Sequence, residues 1–415
     1  MTPVDSSFRS PRRRATALKV VLALVAVGMI LQLAPATAQL FSGEPAGLAS
    51  PLPAPSVAGL QNAPLTVVRR PGPRYQLPGV RFSFAVISDL HEETSCGLGY
   101  GPILEAAVDL INRLRPAFVV GLGDLVAGGG DCLAWGKGWP ERDLEKQLLE
   151  LDQRVLSRLE VPFVPVGGNH DLTSLGSRDP TYPRNTWNAF WRTHRHRVLA
   201  QARPGLTQKS SRFTYRGVGF SLVGYYDTFG LHPSELSWIR KNLQPADLVF
   251  RHINPWGVSC IGEGHCGIAI RNWPIKRMEL LTQTLRARRI QALFSGHTHT
   301  FFDGWCGGMR FVNTGSLGTR SMEYLKGWDH SPYKKRQAFV WVDVLTNASL
   351  RITFFVWDPA KKAYRPFDKR SFPATVTAER QNTPYFEQGL AATCVANRRA
   401  PSHPAAFFAA TARPR

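Results

Sequence analysis

The chain of 415 residues has room for one large domain with appendages or for two domains, and its 43% apolar content excludes disorder throughout. Its formal net charge is +21 and its pI is near 10.2. The first 38 residues hold five basic and one acidic side chain, leaving about +17 on the remainder; such a surplus favours phosphates, acidic polymers or an anionic membrane surface as partners, although a solvated basic surface requires none.

Arg12 to Arg14, an apolar stretch from Val20 to Leu33 and the small residues Ala36, Thr37 and Ala38 have the three parts of a secretory signal peptide. The apolar stretch spans 14 residues, short of the roughly 20 that cross a bilayer. The expectation is export with cleavage after Ala38, to the periplasm or beyond, against an uncleaved membrane anchor. The adjacent arginines raise a twin-arginine route, which Thr16 and Ala17 support poorly. Residues 39–79 contain eight prolines and little apolar periodicity, so they read as a linker or an extended arm.

The folded region, residues 80–357, alternates strands and helices in its first half. Five apolar runs end at polar side chains that bind metals well. Phe84 to Ser88 leads into Asp89 and His91, and Phe118 to Gly123 into Asp124. Phe163 to Gly168 leads into Asn169, His170 and Asp171. Leu248 to Arg251 leads into His252, and Ala292 to Gly296 into His297 and His299. Short β-rich runs of this kind predict buried strands. Between them, helical spacing predicts helices opening at Pro102, over Asp143 to Leu159, around Thr186 to His196, over Pro233 to Leu243, and through Ile275, Met278, Leu281 and Leu285. Arg212 to Tyr215 and Val218 to Tyr225 form a hairpin-like pair, and from Arg310 strands follow one another without helices. That order predicts an α/β fold, a four-layer αββα sandwich with two stacked mixed β-sheets. In such sheets ligands bind outside the carboxyl ends of the strands, where the five polar endings would meet. Residues 358–415 read as a basic C-terminal extension, partly disordered.

Cys96, Cys132, Cys260, Cys266, Cys306 and Cys394 form an even set, which suggests disulfides in an exported chain. Cys260 and Cys266 bracket a glycine-rich loop; Cys96 with Cys132 would staple neighbouring loops and leave Cys306 with Cys394. A zinc site using thiols and His265 lacks the spacing it needs.

Singly, Asp-x-His or Gly-Asp is common, and Gly-Asn-His-Asp could be a capping asparagine beside a surface histidine. Alternate histidines straight after a strand converge on a metal better than on a core. Taken together and in this order, the five motifs resemble those of the calcineurin-like metallophosphoesterase superfamily, over about Phe82 to Val356. The resemblance implies the same four-layer sandwich and a phosphoester hydrolase. It implies a first metal on Asp89, His91, Asp124 and His299, and a second on Asp124, Asn169, His252 and His297, with Asp124 bridging. Imidazole with carboxylate suits iron, manganese or zinc. A bridging hydroxide would then attack phosphorus. His170 would be the general acid, oriented by Asp171, unless Asp171 caps a turn instead. No tyrosine follows Asp124, which argues against the purple acid phosphatase branch, and the protein-phosphatase continuation is missing; the pattern lies nearer the phosphodiesterase branch.

Several residues stay open at this level. Trp135 and Trp139 could stack a base or sugar, or merely pack a loop, and His265 could meet substrate. His194 and His196 read as surface residues. The turn at Asn313 to Ser316 could offer a backbone donor to phosphate or simply end a strand. A small phosphoester is the expected substrate. The alternatives are an envelope protein binding anionic polymer without turnover, and a nuclease-like diesterase using Lys276, Arg277, Arg286, Arg288 and Arg289, which read equally as a solvated helix face.

Overall fold

The computed structural model describes residues 78–91, 101–127, 142–172, 181–205, 209–224, 232–253, 255–256, 259–261, 275–318, 323–325, 328, 330–334, 336–378 and 392–398. The expected signal peptide, almost all of the proline-rich arm, Cys96, Cys132, Cys266, Trp135, Trp139, His265, the residues beyond 398, and the side chains of Cys260, Lys276 and Arg277 lie outside this set. No helix among the described residues is long and apolar enough to cross a membrane.

In chain order the first strands are β1 (Val80–Ile87), β2 (Val119–Leu122) and β3 (Phe163–Val166), followed by β4 (Ser211–Tyr215), β5 (Val218–Leu222), β6 (Leu248–Phe250) and β7 (Ser259–Ile261). Then come β8 (Ala292–Ser295), β9 (Phe301–Cys306), β10 (Met309–Thr314), β11 (Glu323–Leu325), β12 (Ala338–Leu345) and β13 (Leu350–Asp358). The last are β14 (Ala363–Pro366), β15 (Thr375–Ala378) and β16 (Ala392–Ala396). Among the described residues they form a six-stranded sheet, β14-β13-β12-β1-β2-β3, an eight-stranded sheet, β15-β16-β9-β10-β8-β6-β5-β4, and a small β11-β7 pair. Both large sheets are mixed. Ala85 pairs in parallel with Val119 and antiparallel with Trp341, and Leu293 lies between its parallel partners Val249 and Phe311.

The alternation of FSFAVI turns phenylalanines to one face, and these rings join the two sheets. Phe84 of β1 stacks on Phe118 at 5.4 Å and meets Phe220, Phe250 and Phe294 of the other sheet edge-on at 5.4, 6.0 and 6.2 Å. Phe250 and Phe294 stack on each other at 4.9 Å. All are fully buried, and each ring removed from water contributes on the order of 2–3 kcal/mol. Helices cover the outer faces. α1 (Pro102–Leu114) opens on its proline and buries Leu104, Ala107, Val108, Ile111 and Leu114. α2 (Arg142–Leu151) runs into a wider turn over Asp152–Leu156, where Ser157 N donates to Asp152 O. α3 (Asn169–Leu172) is a single turn, and α4 (Tyr182–Thr193) stacks Trp191 on Phe163 at 5.6 Å. α5 (Pro233–Asn242) and α6 (Ile275–Ala287) connect the parallel strands of the second sheet. The result is the four-layer αββα sandwich that the strand order predicts.

Two expectations need correction. The domain boundary at residue 357 falls too early. β14 pairs with β13, while β15 and β16 extend the other sheet beyond β9. A Cys306–Cys394 disulfide joins β9 to β16. β9 itself went unread, because FFDGWC carries a charge and a glycine that weaken the strand pattern; Asp303 is buried there against Arg310, Lys369 and Asn397. The helix expected over Thr186 to His196 instead starts at Tyr182 and gives way after Thr193 to a tight turn over Arg195–Arg197.

Candidate metal centre

Parallel strands β1, β2, β3, β6 and β8 all deliver their carboxyl ends to one rim, and the five motifs meet there. The turns are tight. Asp89, His91, Asp124, His297 and His299 all have φ between 46° and 70°, a left-handed conformation that costs a non-glycine residue about 1–3 kcal/mol and persists only where the surroundings impose it. Those surroundings are visible. Ser316 Oγ and Gly318 N donate to Asp89 O at 2.7 and 3.0 Å, and Leu317 N donates to Ser88 O at 3.1 Å. Ser316 and the two residues after it therefore brace the backbone of Ser88 and Asp89. Asn313 Nδ2 braces the histidine turn through Thr298 Oγ1 and Thr300 O.

The glycines before the ligands are there for close approach. A Cβ on Gly168 would stand 2.2 Å from Asp124 Oδ1, and one on Gly296 would stand 2.7 Å from Asp89 Oδ2. Only a bare backbone can pass so near a carboxylate.

Two groups of side chains result, and His91, Asp124 and His170 form a third that overlaps both. Ligand atoms of Asp89, His91 and His299 lie within 4.8 Å of one another, as do those of Asp124, His252 and His297. Asn169 Oδ1 sits 3.2 Å from His252 Nε2, beside the second group. Asp124 joins the halves: its Oδ2 is 3.0 Å from His252 Nε2 and 3.8 Å from His91 Nε2. All seven residues singled out in the sequence as metal ligands thus reach one cluster.

The donor set could hold metal ions. His91 Nε2 and His299 Nε2 approach to 2.8 Å, within reach of one shared proton or one shared cation. His252 Nδ1 lies 2.8 Å from Leu122 O, which fixes that nitrogen as a donor and turns Nε2 inward toward Asp124. Asp89 and Asp124 are buried to within 1%. Burial opposes their ionisation, but His299 and His252 hold Asp89 below the usual carboxylate range, and His252 with His170 holds Asp124 well below it. Burial also works against a charge on His252, yet Asp124 lifts it to about 9. Burial and His252 together push His297 down to about 4. Two buried carboxylates ringed by inward-turned imidazoles make a site that attracts positive charge.

His170 and Asp171 diverge. His170 is partly exposed at the rim; its Nδ1 is 2.5 Å from Ala127 O and its Nε2 is 3.9 Å from Asp124 Oδ2. A carbonyl, rather than a carboxylate, orients this ring. Asp171 is fully buried and accepts from Leu125 N, Val126 N and Gly168 N at 3.0, 3.2 and 2.8 Å. Burial and the nearby Asp124 push its carboxyl up to about 7. The expectation of Asp171 as orienter of His170 is corrected: it caps two turns, and its contacts are backbone amides. Asp124 returns the exchange by accepting His170 N at 2.8 Å. Each of the two loops thus holds the other's backbone with a carboxylate.

Elsewhere the sequence candidates stay apart from this rim. His194 pairs with Asp152 at 3.6 Å, and His196 is exposed. Arg286 and Arg289 are exposed where α6 ends, before the amino end of β8. The cluster lies past that strand's other end, so these arginines cannot hold the phosphate being cleaved. Ser88 and the carbonyls of Leu122 and Ala127 escaped the sequence reading; a carbonyl leaves no trace in sequence, and Ser88 stood only as the last residue of an apolar run.

Comparison with known proteins accords with this geometry. The model of the calcineurin-like phosphoesterase family matches residues 82–301. No curated protein matches the chain. Among solved structures, zinc-complexed wild-type Vps29 from Entamoeba histolytica is 15% identical over 69% of this chain and 98% of its own, with a TM-score of 0.29. The purple acid phosphatase PPD1 from yellow lupin is 13% identical over 69% of this chain and 52% of its own, at 0.43. The phosphoesterase Yfce from E. coli is 14% identical over 69% and 98%, at 0.27. The family match spans more than half of the sequence and takes in all five motifs: the chain belongs to the calcineurin-like phosphoesterase family and is a metallophosphoesterase.

Proposed function

We propose that the chain is an exported phosphoesterase that hydrolyses phosphomonoesters or phosphodiesters with two cations. Asp89, His91 and His299 would hold the first cation, His252, His297 and Asn169 the second, and Asp124 both. The convergence of two side-chain groups on the one carboxylate of Asp124 carries this reading. Iron, manganese or zinc suits these nitrogen and oxygen donors, and no thiolate is among them. When bound, the pair supplies charge neutralisation and Lewis acidity for an in-line displacement at phosphorus.

The chain's own groups account for the remaining requirements. Ala127 O takes the Nδ1 proton of His170, so Nε2 points toward the cluster, where the protonated ring can deliver a proton to the leaving oxygen. Asp124 Oδ1 is engaged by His170 N, which leaves Oδ2 to face both groups. The leader-like amino end and the Cys306–Cys394 disulfide support export, since such bonds persist in oxidising compartments. The test is to purify the chain with manganese, zinc or iron and compare chromogenic monoester and diester substrates. Asp124→Ala should abolish turnover, and activity surviving unchanged in that variant would remove the proposal. Cell fractionation with amino-terminal sequencing checks export and cleavage after Ala38.

A further inference from the structure

Ser88 ends the apolar run of β1 and is fully buried. Its hydroxyl lies 2.6 Å from Asp89 Oδ2 and 2.9 Å from Leu122 O. A hydroxyl has one proton, and the shorter contact has the length of a charge-assisted O–H···O⁻ bond. The proton therefore goes to the carboxylate, while His252 Nδ1 supplies Leu122 O. Asp89 Oδ2 also accepts from His297 N at 2.9 Å, an amide that reaches Oδ1 at 3.0 Å as well. Oδ1 lies toward the ring nitrogens, with His299 Nε2 at 3.5 Å, His91 Nε2 at 3.8 Å and His252 Nε2 at 4.0 Å. Gly296 packs against the other side, where an added Cβ would meet Ser88 Oγ at 2.0 Å.

Resting on the two-cation reading of the cluster, we propose that Ser88 is a positioning residue for the first half-site. It holds Asp89 Oδ2 away from the cluster, so that Oδ1 alone is presented to the cation shared with His91 and His299. Without the hydroxyl, the carboxylate loses a donor in a dry site and is free to rotate about its last torsion. Loss of an outer hydrogen bond of this kind weakens metal binding by about 10–100-fold.

The experiment titrates manganese and zinc, against a competing chelating dye, into metal-stripped full-length wild type, Ser88→Ala, Ser88→Cys and Asp124→Ala. Circular dichroism checks the fold of each. Wild type should bind two equivalents and Asp124→Ala should lose both. Ser88→Ala should keep one equivalent at wild-type affinity and weaken the other about 10–100-fold. Ser88→Cys, with a weaker donor in the same place, should fall between them and stands in should the alanine variant fail to fold. Two wild-type equivalents in Ser88→Ala, or equal weakening of both, would overturn the role of Ser88 and leave the cation reading intact. A wild-type chain that binds neither metal would instead remove the reading beneath it.

Discussion

His170 and Asp171 are neighbours whose surroundings give them opposite tasks. The histidine sits at the open rim with its outer nitrogen fixed by Ala127 O. The aspartate is sealed among three backbone amides. His170→Asn should therefore lower kcat/KM by about 10²–10⁴-fold for esters with poor leaving groups, the usual contribution of a general acid. It should cost much less for a nitrophenyl ester, whose leaving oxygen needs no proton. Plotting rate against leaving-group pKa checks this, and a uniform loss across the series would contradict it. Asp171→Asn places an NH₂ group where a backbone N–H now donates. It should cost about 1–3 kcal/mol of stability, seen as a lower denaturation midpoint. An unchanged midpoint with turnover as low as in the His170 variant would return Asp171 to a direct role.

The strands show which physical signals survive in a sequence. β1, β2, β3, β6 and β8 were legible because each is an apolar run broken abruptly by a metal-binding side chain. Parallel strands buried on both faces leave that imprint. β9, β15 and β16 were not legible, since their stability comes from partners far away in the chain. Asp303 is the clearest case: a charged residue in mid-strand argues for a loop until Lys369, Arg310 and Asn397 are found around it. Burial opposes its ionisation, but Lys369 and Arg310 outweigh that and hold the carboxyl below its usual range. A carboxyl depressed on folding contributes stability above its unfolded pKa of about 3.9 and loses it as pH falls through the lower folded value. The stability gap between wild type and Asp303→Asn should thus be widest near neutrality and shrink below about pH 4. Chemical denaturation of both across that range measures it; a gap constant with pH would show that packing, not charge, holds the C-terminal strands.

At the scale of the whole molecule, the cluster joins parts that the chain order keeps apart. Asp89 and Asp124 come from the six-stranded sheet, His252, His297 and His299 from the eight-stranded one. The residues of this site were readable because one kind of side chain ended each run; the hydrogen bonds that aim them were not, because carbonyls and amides are the same at every position. A cation pair held as proposed would span both sheets and bind the folded chain and not the unfolded one, so it should stabilise the fold by linkage. At a hundredfold excess over Kd, each site adds about 2.7 kcal/mol, so a pair adds about 5.4 kcal/mol, which for a domain of this size raises the melting temperature by roughly 10 °C. Stripping the protein with a chelator should lower the melting temperature by that amount, and manganese or zinc should restore it. Asp124→Ala should melt at one temperature with or without metal, because neither half-site keeps its shared carboxylate. If the stripped and loaded wild-type chains melt together while turnover still needs metal, cation binding is not linked to folding and the clamp is refuted.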